Sequence, residues 1–318
     1  MLKRFILLIC ILFFTFNIYI LGQTIPSNDE LKRTESLYKR WFGEDLVSDT
    51  DIFPGGLFVN GSFVPKDMDT WQREISTTNE YDKKLERILI YRHKTLGLVI
   101  RYKMVLYRDY PVIEWTVFYK NEGKENSPIL QELKSIDTFF SEFSGQQVIL
   151  HRNKGDNCTA DSFQPISEIL DNGKEMSVSN TGGRPTQTAF PYFNIEGEGG
   201  GYIFVISWAG QWLCKFSRDE RGRLSIQGGQ EITRFFLYPD EEVRGPMVVL
   251  LPYTGNKQRG QNLWRQWMIH CNLPKQNGKP VKVPMLLSCS ATSVEETYDE
   301  NTESHKMLIQ KYIDRGFQ

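Results

Sequence analysis

The spacing of apolar side chains changes period along this chain, and each change predicts a different element. Residues 27–43 carry Leu31, Leu37, Tyr38 and Trp41 at helical intervals. Ser27, followed three positions later by Glu30, forms a capping box, and Gly43 marks the stop, which together predict a short amphipathic helix. After a turn-rich bridge the period falls to two. Ile100, Tyr102, Met104 and Leu106 alternate with Arg101 and Lys103; beyond the Asp109-Tyr110-Pro111 turn, Ile113, Trp115 and Val117 alternate with Glu114 and Thr116. That is an antiparallel hairpin with one solvated face. Short apolar runs at 202–208, 211–216, 223–226, 232–237 and 247–251, divided by Gly, Asp and Pro breakers, extend the pattern. Many short strands with no internal repeat predict one large antiparallel β-sandwich, not a propeller.

Helical spacing returns at 260–272, where Leu263, Trp264, Trp267, Met268 and Cys271 share a face, and Pro274 with the 278–280 loop follows. An unbroken apolar run at 283–287 then precedes a predicted helix at about 301–315, closed by Gly316. A buried strand followed by a helix is the first half of a βαβ unit, and such a strand normally has parallel neighbours on both sides. The expectation is therefore a truncated α/β domain. The alternative is that 283–287 joins the sandwich as an edge strand. The predicted layout is a signal peptide at 1–22, a sandwich at 23–255, a linker helix and loop at 256–282, and the start of the second domain at 283–318.

Composition narrows the function classes. Thirty-eight Lys and Arg against thirty-nine Asp and Glu leave a formal charge of −1, with no basic stripe for a nucleic-acid partner. A neutral substrate fits that balance. Lys3 and Arg4 before an apolar run at 5–21 and a polar stretch predict a secretory signal, hence export to the periplasm or outside; an uncleaved membrane anchor is the alternative. Cys158, Cys214, Cys271 and Cys289 show no C-x-x-C spacing and are expected as free, mostly buried thiols. His93, His151, His270 and His305 form no ligand pair, and neither a metal nor a cofactor is expected. Homo-oligomerisation is left open.

One stretch is richer in glycine and rings than a routine hairpin: GGRPTQTAFPYFNIEGEGGGYIFVISWAGQW at 182–212, with DNCTADSFQP just before it. Here Asp156 and Asp161 are candidate acceptors for sugar hydroxyls, Arg184 a candidate donor or carboxylate clamp, and Phe190, Tyr192, Trp208 and Trp212 candidate ring platforms. Each has a plainer reading: turn caps for the aspartates, a structural ion pair for Arg184, and sandwich core for Phe190 and Trp208. A calcium loop at Asp156, Asn157 and Asp161 lacks the twelve-residue ligand spacing.

Several motifs in one order resemble the N-terminal part of glycoside hydrolase family 36, the α-galactosidase (melibiase) family: KGD and DSFQP at 154–165, GGRPT and AFPYFN at 182–194, SWAGQW at 207–212, QNLWRQWM at 261–268, and the earlier DYPVIEW at 109–115. The resemblance covers nearly the whole chain after the signal segment. It implies a large sandwich (a supersandwich), a linker helix and a (β/α)8 catalytic barrel whose first βα unit would be residues 284–316. It also implies retaining chemistry on terminal α-linked galactose by two carboxylates about 5–5.5 Å apart. In the family both are aspartates on later barrel strands, so no catalytic residue is assigned in this chain, which is expected to be inactive alone. The alternative is a free-standing β-sandwich that binds carbohydrate or serves as a scaffold.

Overall fold

A computed structural model describes residues 24–43, 54–64, 68–81, 83–281 and 301–316. The predicted signal segment, Cys289 and the apolar run at 283–287 lie outside the described residues. Two compact units divide at Trp267 and Met268.

In the first unit, helix α1 (Asn28–Phe42) leads into a long series of strands. In chain order these are β1 (Gly56–Val59), β2 (Ser62–Val64), β3 (Trp71–Tyr81), β4 (Lys84–His93), β5 (Leu98–Tyr107), β6 (Ile113–Asn121), β7 (Leu130–Phe140) and β8 (Ile149–Asn153). They continue with β9 (Pro165–Ile169), β10 (Glu175–Ser179), β11 (Tyr192–Gly197), β12 (Gly200–Ser207), β13 (Trp212–Arg218), β14 (Leu224–Gln230), β15 (Arg234–Phe235) and β16 (Glu242–Thr254), before helix α2 (Lys257–Trp267). Nine strands form one sheet in the order β3-β4-β5-β6-β16-β12-β11-β8-β9. The other runs β10-β13-β14-β7-β1-β2, with β15 also on β7. Every pairing within the two sheets is antiparallel, as the alternating pattern requires.

The hairpin expected from 100–117 is β5–β6, in register with Ile100 opposite Tyr119 and Met104 opposite Trp115. The run at 232–237 yields only the two-residue β15. The core fills the space between the sheets. Trp115 on β6 donates its indole N–H to the Ser135 carbonyl on β7 at 2.8 Å, and Phe193 and Phe204 of the nine-stranded sheet pack on Phe216 of the other. Helix α1 buries the tip of its apolar face here: Trp41 lies 5.5 Å from Trp115 and 6.3 Å from Phe140, ring centre to ring centre. Its start is fixed by the expected capping box, in which Ser27 Oγ accepts from the Glu30 N–H and Glu30 reaches back to the Ser27 N–H.

Glu30 does more than cap. Its carboxylate, fully buried, takes a two-pronged pair from Arg259 of α2, both contacts at 2.8 Å, and accepts from the backbone and hydroxyl of Thr254. Helix α2 itself lies close on the sheet at Gly260, where any Cβ would fall 2.6 Å from the Tyr253 ring.

The second unit contributes one π-helical turn (Met268–Asn272), a two-stranded ribbon, β17 (Lys275–Gln276) and β18 (Lys279–Pro280), and helix α3 (Thr302–Asp314). Asn277 and Gly278 turn the ribbon, both at positive φ, the conformation a two-residue hairpin loop needs. Helix α3 matches the predicted helix, with Asn301 as its cap and Gly316 at φ 82° just beyond it. No described residue of α3 is buried.

Candidate functional site

Two loops and one helix meet on the outer face of the nine-stranded sheet. The first loop, 154–164, leaves β8 and returns as β9; the second, 180–191, leads into β11. They are bound to each other by backbone: Lys154 bridges Ala189, the Asp156 N–H donates to Thr186 O at 2.7 Å, and the Phe190 N–H to Asn153 O at 3.3 Å. Gly155 sits at the crossing, where a Cβ would come within 2.1 Å of Thr186 O. Only glycine permits that approach.

Asn180, fully buried, organises the second loop. Its amide donates to the carbonyls of Arg184 and Gly210, and its side-chain oxygen accepts from the Trp212 N–H at 2.8 Å. The pair of loops also concentrates backbone strain. Cys158, Phe163 and Thr188 all have positive φ, near 60°, which is uncommon for any residue with a Cβ and a clear outlier for β-branched Thr188.

The candidates divide on this frame. Asp156, Asp161, Arg184 and Phe190 lie on the two joined loops, and Phe190 stacks on Tyr192 at the start of β11; of the candidates only Tyr192 lines the cavity beneath α2. Asp156 Oδ1 accepts from the Cys158 N–H and the Ser162 hydroxyl, and these bonds, with a smaller contribution from Arg184, hold its carboxyl below the usual range. Asp161 is drawn down to about 2 by the Lys154 ammonium at 2.6 Å and the Thr159 hydroxyl. Both aspartates therefore stay ionised at neutral pH while serving as turn caps. Arg184 is exposed, its Nε on Gln187 Oε1 at 3.1 Å. Trp208, half-buried, packs against the core beneath the Arg244 guanidinium. Trp212 points the other way: it is fully buried, its ring edge-on to Phe193 and its indole N–H on Pro185 O at 2.7 Å. That ring is interior and presents no face to a ligand.

The rings that do face outward form a continuous row. Phe163 meets Phe190 edge-on, Phe190 stacks on Tyr192 at 4.8 Å and Tyr192 meets Trp264 of α2 at 5.5 Å; Trp264 is backed by the buried Trp267 at 4.8 Å. Tyr192 and Trp264 of this row border a cavity of about 310 Å³, whose lining also includes His151, Ser167, Asn194 and Gln261. That volume is at the small end of ligand clefts, about 300–1,000 Å³. One His151 ring nitrogen lies 2.7 Å from Ser167 Oγ and the other 2.8 Å from Glu196 Oε2, while Glu196 Oε1 accepts from the Lys257 N–H. This polar row crosses β9, β8 and β11 and fixes one wall of the cavity. Burial raises the Tyr192 hydroxyl above its ordinary pKa, so it stays a neutral donor.

His151, Glu196 and Trp264 were not singled out as site residues from the sequence. Trp264 carried a signal, since Lys257, Gln261, Trp264 and Arg265 recur at i, i+4, i+7 and i+8 on α2. Of the remaining expectations, Cys158 is exposed, against the prediction of mostly buried thiols, whereas Cys214 is fully buried; neither they nor Cys271 form a disulfide. Among the described residues no group of three His, Cys, Asp or Glu is placed to hold a metal ion, and no helix is long and apolar enough to cross a membrane.

Comparison with known proteins assigns the fold. No family model matches the sequence, and no curated protein matches it. Solved structures do match. The α-galactosidase from Lactobacillus brevis aligns over 83% of this chain at a TM-score of 0.56 and 13% identity. A variant of the α-galactosidase AgaA of glycoside hydrolase family 36 from Geobacillus stearothermophilus, in complex with stachyose, aligns over 83% at 0.55 and 14%. Another AgaA variant, in complex with raffinose, aligns over 66% at 0.51 and 14%. This chain spans 37%, 38% and 31% of those proteins respectively. The chain thus has a fold similar to that of a region of the family 36 α-galactosidases.

Proposed function

We propose that the chain is the N-terminal portion of an exported, retaining α-galactosidase-like glycoside hydrolase acting on terminal α-linked galactose. The observation that carries this is the structural match over 83% of the chain to α-galactosidases, one of them holding stachyose. In this reading the sandwich supplies binding surface: the outward rings of Phe190, Tyr192 and Trp264 lie against sugar C–H faces, and Asp156, Asp161 and Arg184 hydrogen-bond hydroxyls from the loop rim. The nucleophile and the acid come from a (β/α)8 barrel beyond the residues assigned here, and residues 1–22 direct export.

Two assays on the 318-residue chain test the reading. Raffinose should bind saturably in a calorimetric titration, and a chromogenic α-galactoside should not be turned over. Turnover would overturn the placement of the catalytic carboxylates; absence of raffinose binding would overturn the sugar-binding role. The second reading, a stand-alone carbohydrate-binding sandwich, is favoured by one observation, that the cavity is lined entirely by residues between His151 and Arg265 of the first unit. Immunoblotting of the source cells separates the two: a species well above 37.0 kDa supports the hydrolase, and one at or just below that mass supports the stand-alone module.

A further inference from the structure

The cavity beneath α2 has a charge pattern that a neutral galactoside does not require. Arg152, Lys257 and Arg265 line it, and none of its lining residues is an aspartate or glutamate. Arg152 is spent, its Nε 2.6 Å from Glu168. Glu196, at the cavity's edge, is spent too, one oxygen on His151 and the other on the Lys257 backbone. The side-chain cations of Lys257 and Arg265 have no carboxylate partner among the described residues. Some exposed cations elsewhere on this sandwich have one, as in Lys83 with Asp109, Arg101 with Glu242 and Arg223 with Asp219, and others, such as Lys174 and Arg221, do not. What distinguishes Lys257 and Arg265 is that they share one cavity whose lining holds no acid to offset them.

We propose that this cavity binds an anionic sugar unit, a pyranose carrying a carboxylate as in a hexuronate. The pyranose ring lies against Tyr192 and Trp264, and its carboxylate is held by Arg265. The inference rests on the carbohydrate reading above and adds the charge of the ligand. Trp264 and Arg265 both line this one cavity, which matches a ligand whose carboxylate is attached directly to its ring. A guanidinium receives a carboxylate through two parallel N–H donors, so Arg265 supplies orientation as well as attraction. Lys257 lies two helical turns earlier, about 12 Å along the axis at 1.5 Å per residue, too far to share that carboxylate but placed to add to the positive field. Of the remaining titratable groups facing the cavity, His151 is occupied on both ring nitrogens by Ser167 and Glu196, and burial keeps the Tyr192 hydroxyl neutral.

The test titrates methyl α-galacturonate and methyl α-galactoside into the 318-residue chain at low and at physiological ionic strength. The uronate should bind roughly tenfold tighter at low salt, with the preference shrinking as salt screens the pair. Arg265→Gln should remove most of that preference and leave the galactoside within about twofold, because the bidentate contact is lost and the rings remain. Trp264→Ala should weaken both ligands. Equal affinity for the two glycosides overturns the proposal while leaving the carbohydrate reading standing, as does an unchanged preference in Arg265→Gln. Displacement of the uronate by acetate at similar concentration overturns it in favour of a simple anion site. Failure of both glycosides to bind overturns this proposal and the sugar-binding reading together.

Discussion

Replacing Glu30 tests whether the sandwich is pinned by one buried carboxylate. Glu30 has no exposed side-chain surface, and Arg259, its partner, is 30% exposed. Burial alone would raise the carboxyl's pKa; the Arg259 pair, the Ser27 and Thr254 N–H groups and the guanidinium charge overcome it and bring it from 4.5 to about 2. At about 1.4 kcal/mol per pH unit the difference amounts to about 3 kcal/mol in favour of the folded state at neutral pH. An exposed pair would give at most about 1 kcal/mol, so the two cases are separable by experiment. Because the folded-state pKa is the lower one, this stabilisation is complete above pH 4.5 and is lost as pH falls from there toward 2.

The assay is urea unfolding of the wild type and Glu30→Gln at pH 7, 4 and 3, followed by intrinsic tryptophan fluorescence. At pH 7 the variant should be less stable by about 3 kcal/mol, or roughly 6–12 °C in Tm for a domain of this size. Toward pH 2 the wild-type carboxyl protonates and the two proteins should converge. A gap below about 1 kcal/mol at pH 7, or a gap that stays constant down to pH 3, would refute the account, because either result means that the carboxylate's charge is not what binds α1 to Thr254 and α2.

Three further outcomes follow from the same geometry. Trp212→Ala removes a fully buried indole and its bond to Pro185, and should cost about 3–5 kcal/mol in urea unfolding. Gly155→Ala drives a Cβ into the Thr186 carbonyl, so the loops should part at a cost of about 1–3 kcal/mol and the Asp156 and Phe190 amides should lose hydrogen-exchange protection. In native protein a thiol reagent should label Cys158 at once and Cys214 only on unfolding, since Cys214 has no exposed surface and burial pushes its thiol well above the ordinary pKa; equal labelling would contradict the packing of β13.

The legible part of the fold was the part whose chemistry alternates with the backbone. Strands β5 and β6 carry their charges on one face and Ile100, Tyr102, Met104, Trp115 and Val117 on the other, so period two announces them. Strand β3 reads WQREISTTNEY and lies at the sheet edge with much of its surface in water, so only Trp71 and Ile75 reach the core and no sustained alternation marks it. Strand β9 was hidden differently. Its first residue belongs to the DSFQP motif, which looks like a loop, and it pairs as an outer strand where proline is tolerated.

The same parity rule sorts the candidate rings. Trp212, Cys214 and Phe216 occupy alternate positions of β13, so a ring at 212 must share the face of two apolar side chains, and it does. In β11 the rule separates neighbours: Phe193 turns into the core and Tyr192 turns out toward α2. What no pattern in the sequence supplies is register between strands far apart in the chain. His151, Ser167 and Glu196 lie on three strands, and only the pairing of Asn194 with His151 and of His151 with Ser167 brings them into one row. Trp264 completes the wall because Gly260, by lacking a side chain, lets α2 settle onto Tyr253 and carry its outer rings to Tyr192. A bulkier residue at 260 would lift the helix and open the cavity, so the cavity depends on a packing contact made one turn earlier on the same side of the helix.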